Sequence, residues 1–368
     1  MSAVKYTRPI DGHVHLRWLE HSIPFALFAF QDAATVGYKA LVEQVNTDPP
    51  LISLDMIRAR KAYIDLVKKQ ARAEDILHKS YIGMTDDEGQ VKTALRAVID
   101  NPDLIAGDKT FYVHSTANMG LLRNRIWVRN WAIKREMAYR KVSTSHLEDE
   151  NTFDKSNPFN PKNPMTHSLY QNEKAELVQT ERQIRLARDL EFEGIFVAHH
   201  VSSPDTIDFL YQEKDNMPFQ IIIESTPHHI LLNTDDYKIH GNRVKINPPL
   251  RSPESQKGVL ERGLEGKIDI IGTDHAPHPL ERKDSVNPSS GIPVIPIFPF
   301  LAQTLLKKGM SKGQLKKITF DTPNKIFFSG ELEAEEVEVE YNPGLWDKYG
   351  YNPFSRRDGT LRLPQVRV

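Results

Sequence analysis

The residues with the most chemical potential are scattered along the chain: His13 and His15, Lys109, His146, His200, and Asp274 followed by His275 and His278. If H-x-H lies on a β-strand, both imidazoles face the same side, because side chains alternate with period two. Two rings so placed can reach one metal ion, and a ligand set of imidazole and carboxylate suits zinc and its neighbours. The chain has no cysteine, which excludes disulfides and thiolate sites and leaves nitrogen and oxygen ligands. Lys109 lies between Ile-Ala-Gly-Asp and Thr-Phe-Tyr-Val, and a charged lysine pointing into a core is costly unless paired or modified. Asp108 is its rival, since a carboxylate could also bridge metals. Taken alone, a histidine pair is as readily a solvated or core feature. The weight comes from where the whole set falls.

Short apolar runs at 8–15, 39–46, 79–84, 104–112, 140–145, 194–200, 219–224 and 267–273 read as strands. Amphipathic segments such as 51–69, 88–100, 173–190 and 253–263 read as helices between them. Strand then helix, repeated about eight times, predicts a (β/α)8 TIM barrel. An open doubly wound sheet is disfavoured, since no G-x-G-x-x-G follows the first strand. In a barrel the C-terminal strand ends converge on one face, where active sites form. His13 and His15 end the first strand and Asn46 the second. Lys109 lies in the fourth, His146 and His200 end the fifth and sixth, and Asp274 ends the eighth.

An Asn- and Pro-rich stretch, 147–172, and a second with five prolines and paired Ser289 and Ser290, 276–297, read as long loops and as candidate lids. After residue 330 the chain turns acidic and then Tyr- and Pro-rich. The expected organisation is therefore a barrel over 1–330 and a C-terminal extension over 331–368 packing on it. Of the 368 residues 39% are hydrophobic and 26% charged, ordinary for a globular domain, and the net charge of −1 gives no argument for nucleic acid or an anionic membrane as partner. The first residues lack the apolar run of a signal peptide and no stretch reaches spanning length, so a cytoplasmic protein is expected.

Ordered motifs sharpen this picture. Asp11-Gly-His-Val-His-Leu-Arg17 resembles the opening motif of dihydroorotases, cyclic amidohydrolases of the amidohydrolase superfamily. Val45-Asn-Thr-Asp-Pro-Pro50, Gly107-Asp-Lys-Thr-Phe-Tyr112, His146-Leu-Glu-Asp149 and His200-Val-Ser-Ser203 are similar to further signatures of that family. So are Glu224-Ser-Thr-Pro-His-His229, Lys245-Ile-Asn-Pro-Pro-Leu-Arg251 and Thr273-Asp-His-Ala-Pro-His278. They occur in the family's order over residues 10–330.

The resemblance implies a binuclear site with two zinc ions per chain. His13 and His15 would bind one ion and His146 and His200 the other. A carboxylated Lys109 would bridge them, and Asp274 would complete the first site and act as general acid/base. Arg17, Asn46 and His278 would hold the substrate carboxylate; an arginine fork suits that planar group. The implied reaction is the reversible hydrolysis of dihydroorotate to N-carbamoyl-L-aspartate in pyrimidine biosynthesis, with a metal-bridging hydroxide as nucleophile. The implied partners are this small molecule and, in a homodimer, a second copy of the chain. His200 is preferred over His199 because Val-Ser-Ser follows it. The family pattern makes His228 and His229 structural, His114 and His167 are read as loop-stabilising, and His21, His78 and His240 as background. The sequence departs from the family at Trp18-Leu-Glu20, where Glu-Pro-Gly is usual, and at Gln44-Val45-Asn46, where Met-Pro-Asn is usual. With only ten residues before the first motif, most of the small β-domain of many relatives is expected to be reduced or absent. Two other readings stand beside this one: an allantoinase- or dihydropyrimidinase-like ring opener, and a non-catalytic homologue acting as a partner subunit.

Overall fold

The computed structural model describes residues 2–17, 23–115 and 118–355. Trp18–Glu20, His21 and the last part of the C-terminal extension lie outside the described residues. Among the described residues ten strands are formed: β1 Val4–Thr7, β2 Ile10–Val14, β3 Ala40–Glu43, β4 Leu77–Gly83, β5 Ile105–Phe111, β6 Val142–His146, β7 Ile195–Ala198, β8 Gln220–Ser225, β9 Ile270–Ile271 and β10 Glu336–Val339. Strands β2 to β9 form one parallel sheet in chain order. Each lies on a run read as a strand from sequence. The sheet closes on itself: His15 N donates to the His275 carbonyl (2.8 Å), and Val14 and His275 form a parallel bridge. The architecture is the expected (β/α)8 barrel.

Helices follow the strands and cover the barrel from outside, among them Leu54–Ala71, Glu88–Asp100, Glu173–Asp189 and Pro253–Leu264. Their starts are set locally. Ser53, Asp87, Asn172 and Ser252 each accept a hydrogen bond from a backbone N–H in the first turn, satisfying a donor that the helix leaves orphaned. Strand residues such as Ile10, Leu41, Ile82, Phe196 and Ile223 are fully buried, because a parallel sheet covered on both faces has no solvent side. No helix among the described residues is long and apolar enough to cross a membrane.

Two regions carry more structure than the sequence showed. The 147–172 stretch holds short helical turns at Glu150–Thr152 and Thr166–Tyr170, and 276–297 holds Leu280–Lys283 and Ile295–Ile297. Beyond residue 330, β10 pairs antiparallel with β1, in register from Val4 opposite Val339 to Thr7 opposite Glu336. This two-stranded sheet joins the two ends of the described chain. The following turn buries Trp346, Tyr349 and Phe354 against the barrel. Trp346 Nε1 donates to the Pro293 carbonyl (3.2 Å), while Lys348 and Tyr349 Oη engage the buried Asp32 carboxylate of helix Phe25–Thr35.

Candidate active site

At the C-terminal mouth of the barrel lies a cavity of about 660 Å³. His13, His15, His146, His200 and Asp274 line one end of it; Arg17, Asn46 and His278 line the other. Lys109 is fully buried behind the first group.

The first group is positioned by the strands. His13 and His15 sit at and just past the end of β2, so strand alternation turns both rings inward. Asp274 Oδ1 is 2.9 Å from His15 Nε2 and 3.3 Å from His13 Nε2. One ligand atom from each of these three residues falls within 4.8 Å of the others. The rings of His146 and His200 are 4.5 Å apart, and His200 is 5.2 Å from His13, so the two pairs are neighbours. Lys109 Nζ reaches inward to 2.8 Å from His199 Nδ1. Asp108 points the other way, to Lys134 Nζ at 2.8 Å, which settles which of the two adjacent residues faces the site.

Backbone geometry is unusual at three of these positions. Arg17 (φ 51°), His200 (42°) and Asp274 (48°) all occupy the left-handed region, uncommon for non-glycine residues and a recurrent mark of functional turns. Buried polar anchors hold those turns. Asp11 accepts from the backbone N–H groups of His13 and Thr273 (both 3.0 Å) and from Thr273 Oγ1 (2.5 Å), tying the first strand end to the eighth. Glu176 accepts from the N–H groups of Ser202 (3.0 Å) and Ser203 (3.1 Å), pinning the turn after His200. Gly272 is needed where it stands: a Cβ there would lie 2.6 Å from the Glu224 carboxyl carbon and 2.9 Å from His13 Cβ.

Electrostatics suit a cation. Burial pushes the imidazoles of His13 and His15 down, to about 3 and about 4, so both are neutral at pH 7 and free to offer a lone pair. Burial would raise the carboxyl of Asp274, yet His13 and His15 hold it below the usual carboxylate range. Burial pushes the Lys109 amine down to about 7. His200 Nδ1, His199 Nε2 and Glu224 Oε2 are buried with no hydrogen-bond partner among the described residues, as atoms awaiting a ligand would be. This donor set fits one or two divalent ions: neutral imidazoles, an ionised carboxylate and several unmatched lone pairs.

Two residues stand closer to this cluster than the sequence indicated. Glu224 lies 2.7 Å from His13 Nδ1, on the far side of the ring from the cavity. Such a carboxylate fixes the tautomer and orientation of a ligating histidine. His199 packs against His13 (rings 4.3 Å apart) and with His13 and Glu224 forms a second compact group. It does not line the cavity, whereas His200 does. The signal available for Glu224 was a lone carboxylate at the end of the apolar run Gln220–Ser225. For the histidine pair periodicity gave none, since β7 ends at Ala198 and strand alternation no longer applies; only the Val-Ser-Ser that follows pointed to His200.

At the other end, Arg17 Nη2 is 2.9 Å from His278 Nε2, which is also 3.0 Å from the Ser290 carbonyl. Asn46 presents a buried Oδ1 with no partner among the described residues. Asn247 and Ser290, neither singled out from sequence, share this wall, with Ser290 Oγ donating to Asn247 Oδ1 (3.1 Å). Of the loop histidines, His114 lies at the mouth beside Glu150 (2.6 Å), and buried His167 packs edge-on to Phe159. His228 and His229 are buried, His229 bridging Thr226 Oγ1 and the Pro248 carbonyl.

No protein-family model matches the chain. Among curated proteins, it is 28% identical over 323 residues to a dihydroorotase of Halobacterium salinarum, covering 86% of this chain and 71% of that one. Among solved structures it superposes on a dihydroorotase of Campylobacter jejuni with a TM-score of 0.69, at 19% identity, over 92% of this chain and 88% of the other. It superposes equally on an L-hydantoinase (dihydropyrimidinase) of Arthrobacter aurescens, with a TM-score of 0.70 at 20% identity over 89% and 72%. The structural likenesses establish the fold, a (β/α)8 barrel. The likeness in sequence follows the dihydroorotases along most of the chain.

Proposed function

We propose that the chain is a metal-dependent dihydroorotase, opening the ring of dihydroorotate to N-carbamoyl-L-aspartate and closing it again. The observation that carries this reading is the pairing of two chemistries in one cavity. A cluster of imidazoles and an aspartate lies at one end, and an arginine, an asparagine and a histidine fit for a carboxylate at the other.

In this reading His13, His15 and Asp274 would hold one zinc ion and His146 and His200 a second. Two ions there would bring the pKa of a water toward neutrality and polarise the ring amide carbonyl. Lys109, carboxylated, would add a further carboxylate ligand to the set. Its buried amine is held near neutrality, so a share of it is the free base that can add to CO2, forming an N–C bond and releasing a proton. Arg17 pairs with the substrate carboxylate through its planar fork, and Asn46 and His278 complete that contact. The ring is thus oriented with its amide toward the cluster. Asp274 takes the proton of the attacking water and passes it to the ring nitrogen as the carbon–nitrogen bond breaks. Glu224 keeps His13 in the tautomer that leaves Nε2 open to the cavity. The same proposal carries the expected cytoplasmic homodimer.

Turnover of dihydroorotate, hydantoin, dihydrouracil and allantoin on one preparation tests this. The proposal expects kcat/KM for dihydroorotate to exceed the others by about a hundredfold or more, since dihydroorotate alone of the four carries a carboxylate for Arg17, Asn46 and His278 to bind. Activity confined to the other three would leave the barrel and its cluster but replace the substrate.

A further inference from the structure

Arg17 holds the anion end of the cavity, yet its own backbone is in the left-handed region, at φ 51°. An L-residue stays there only when its surroundings over-determine it. The structure shows one such determinant. Arg60, on the helix Leu54–Ala71, is fully buried, and its Nη2 donates to the Arg17 carbonyl at 2.8 Å.

Arg60 is itself fixed. Its Nε lies 3.0 and 3.1 Å from the two oxygens of Glu43, and its Nη2 is 2.5 Å from Glu43 Oε1. Glu43, fully buried, also stands 3.3 Å from His78 Nε2. The guanidinium lies over the Tyr63 ring, 5.1 Å from its centroid. Glu43 is the last residue of β3, three positions before Asn46. One buried guanidinium therefore grips the turn carrying Arg17 and the strand end that leads to Asn46. A lysine could neutralise Glu43, but its single ammonium would not reproduce the fixed geometry in which the planar fork spans the carboxylate and the carbonyl.

We infer that Arg60 is a positioning residue for carboxylate recognition: through the Arg17 carbonyl and Glu43 it sets the two groups that bind the substrate anion, without touching the substrate. The inference rests on the anion role given above to Arg17 and Asn46.

Arg60→Lys tests it, read by steady-state kinetics on dihydroorotate. KM rises about tenfold with kcat within about twofold, the pattern of lost ground-state binding. A drop in kcat with KM unchanged would overturn the inference. In an Arg17→Ala background, Arg60→Lys raises KM by less than it does in the parent, because the share that acts through Arg17 is already lost. A full additive effect there would mean a merely structural role. If Arg60→Lys does not fold, Glu43→Gln, which loosens the grip but keeps an acceptor, raises KM about threefold, and an unchanged KM would count against the inference. Calorimetric binding of orotate separates the two readings. A parent protein that binds orotate, more weakly after Arg60→Lys, but does not turn over dihydroorotate, retains the positioning role and loses the reaction. Equal orotate affinity in both proteins, with turnover intact, loses only the positioning role.

Discussion

The cluster end of the cavity and its anion end are built differently. His13, Lys109 and His146 stand on strands of the parallel barrel sheet, and Asp274 stands three residues past β9, beside the His275 bridge to Val14 that closes the sheet. Arg17, Asn46, His278 and Ser290 stand on loops, whose places are set by buried polar side chains. Arg60 holds the Arg17 turn. Lys283, fully buried, donates to the carbonyls of Lys245 (2.9 Å), Ser289 (2.8 Å) and Gly291 (2.8 Å), closing the 276–297 segment around itself. Trp346 of the C-terminal turn fastens the same segment at Pro293. In the proposed function the reactive groups would therefore sit on the stiff sheet or at its ends, where small displacements matter most. The groups proposed to choose the substrate would sit on loops, which can vary without disturbing the sheet.

The contrast can be broken at either end, with effects of graded size. Lys109→Ala strikes the strand-borne end. It should lower kcat/KM for dihydroorotate by about a thousandfold or more, with loss of bound metal in elemental analysis. Added short carboxylic acids should restore part of the activity, and a fully active variant would exclude the bridging role. Arg17→Ala strikes the loop end and should raise KM by about ten- to a hundredfold, the value of a charge-assisted pair, while metal content stays at the parent level. A fall in metal content would show that the two ends are not separable.

Lys283→Met removes the pin of the loop end and leaves three carbonyls without their buried donor, at a cost of about 1–3 kcal/mol for such a group. A melting temperature lower by a few degrees and a several-fold higher KM are expected, with kcat nearly unchanged. The smallest effect concerns the C-terminal turn. Burial outweighs Lys348 and Tyr349 at Asp32 and pushes its carboxyl from 3.8 up to about 6. The folded state then binds this proton more tightly than the unfolded state does, so the contribution of Asp32 to stability falls as pH rises from about 4 to about 6. Asp32→Asn should remove that part of the pH dependence, seen as a flatter difference in melting temperature between pH 4 and pH 7.

The same contrast governs what could be read from sequence. Strand-borne features were legible because a buried parallel strand is an apolar run of limited length, and its polar exceptions fall at the ends. His13, His15, His146 and Asp274 were found in this way. Within a strand the method weakens: Asp108 and Lys109 are adjacent, and which one faces inward depends on register, fixed only once Lys134 is seen to take Asp108 from outside. It also fails just past a strand end, at His199 and His200, and misses Glu224, whose role depends on its distance to His13. Loop-borne features were legible as motifs only. Nothing in the periodicity of Leu54–Ala71 marks Arg60 as the partner of a carbonyl 43 residues earlier. Nor does composition reveal that β10 returns to pair with β1, since an exposed acidic stretch such as Glu336–Val339 becomes a strand only through its partner.

The central claim is that the strand-borne cluster holds two metal ions and that this site opens dihydroorotate. Elemental analysis and dihydroorotate turnover on one sample, grown with zinc and bicarbonate, test it most directly. The account predicts about two zinc ions per chain, with turnover lost on chelation and regained on adding zinc. Undiminished turnover in protein with essentially no bound metal would contradict it.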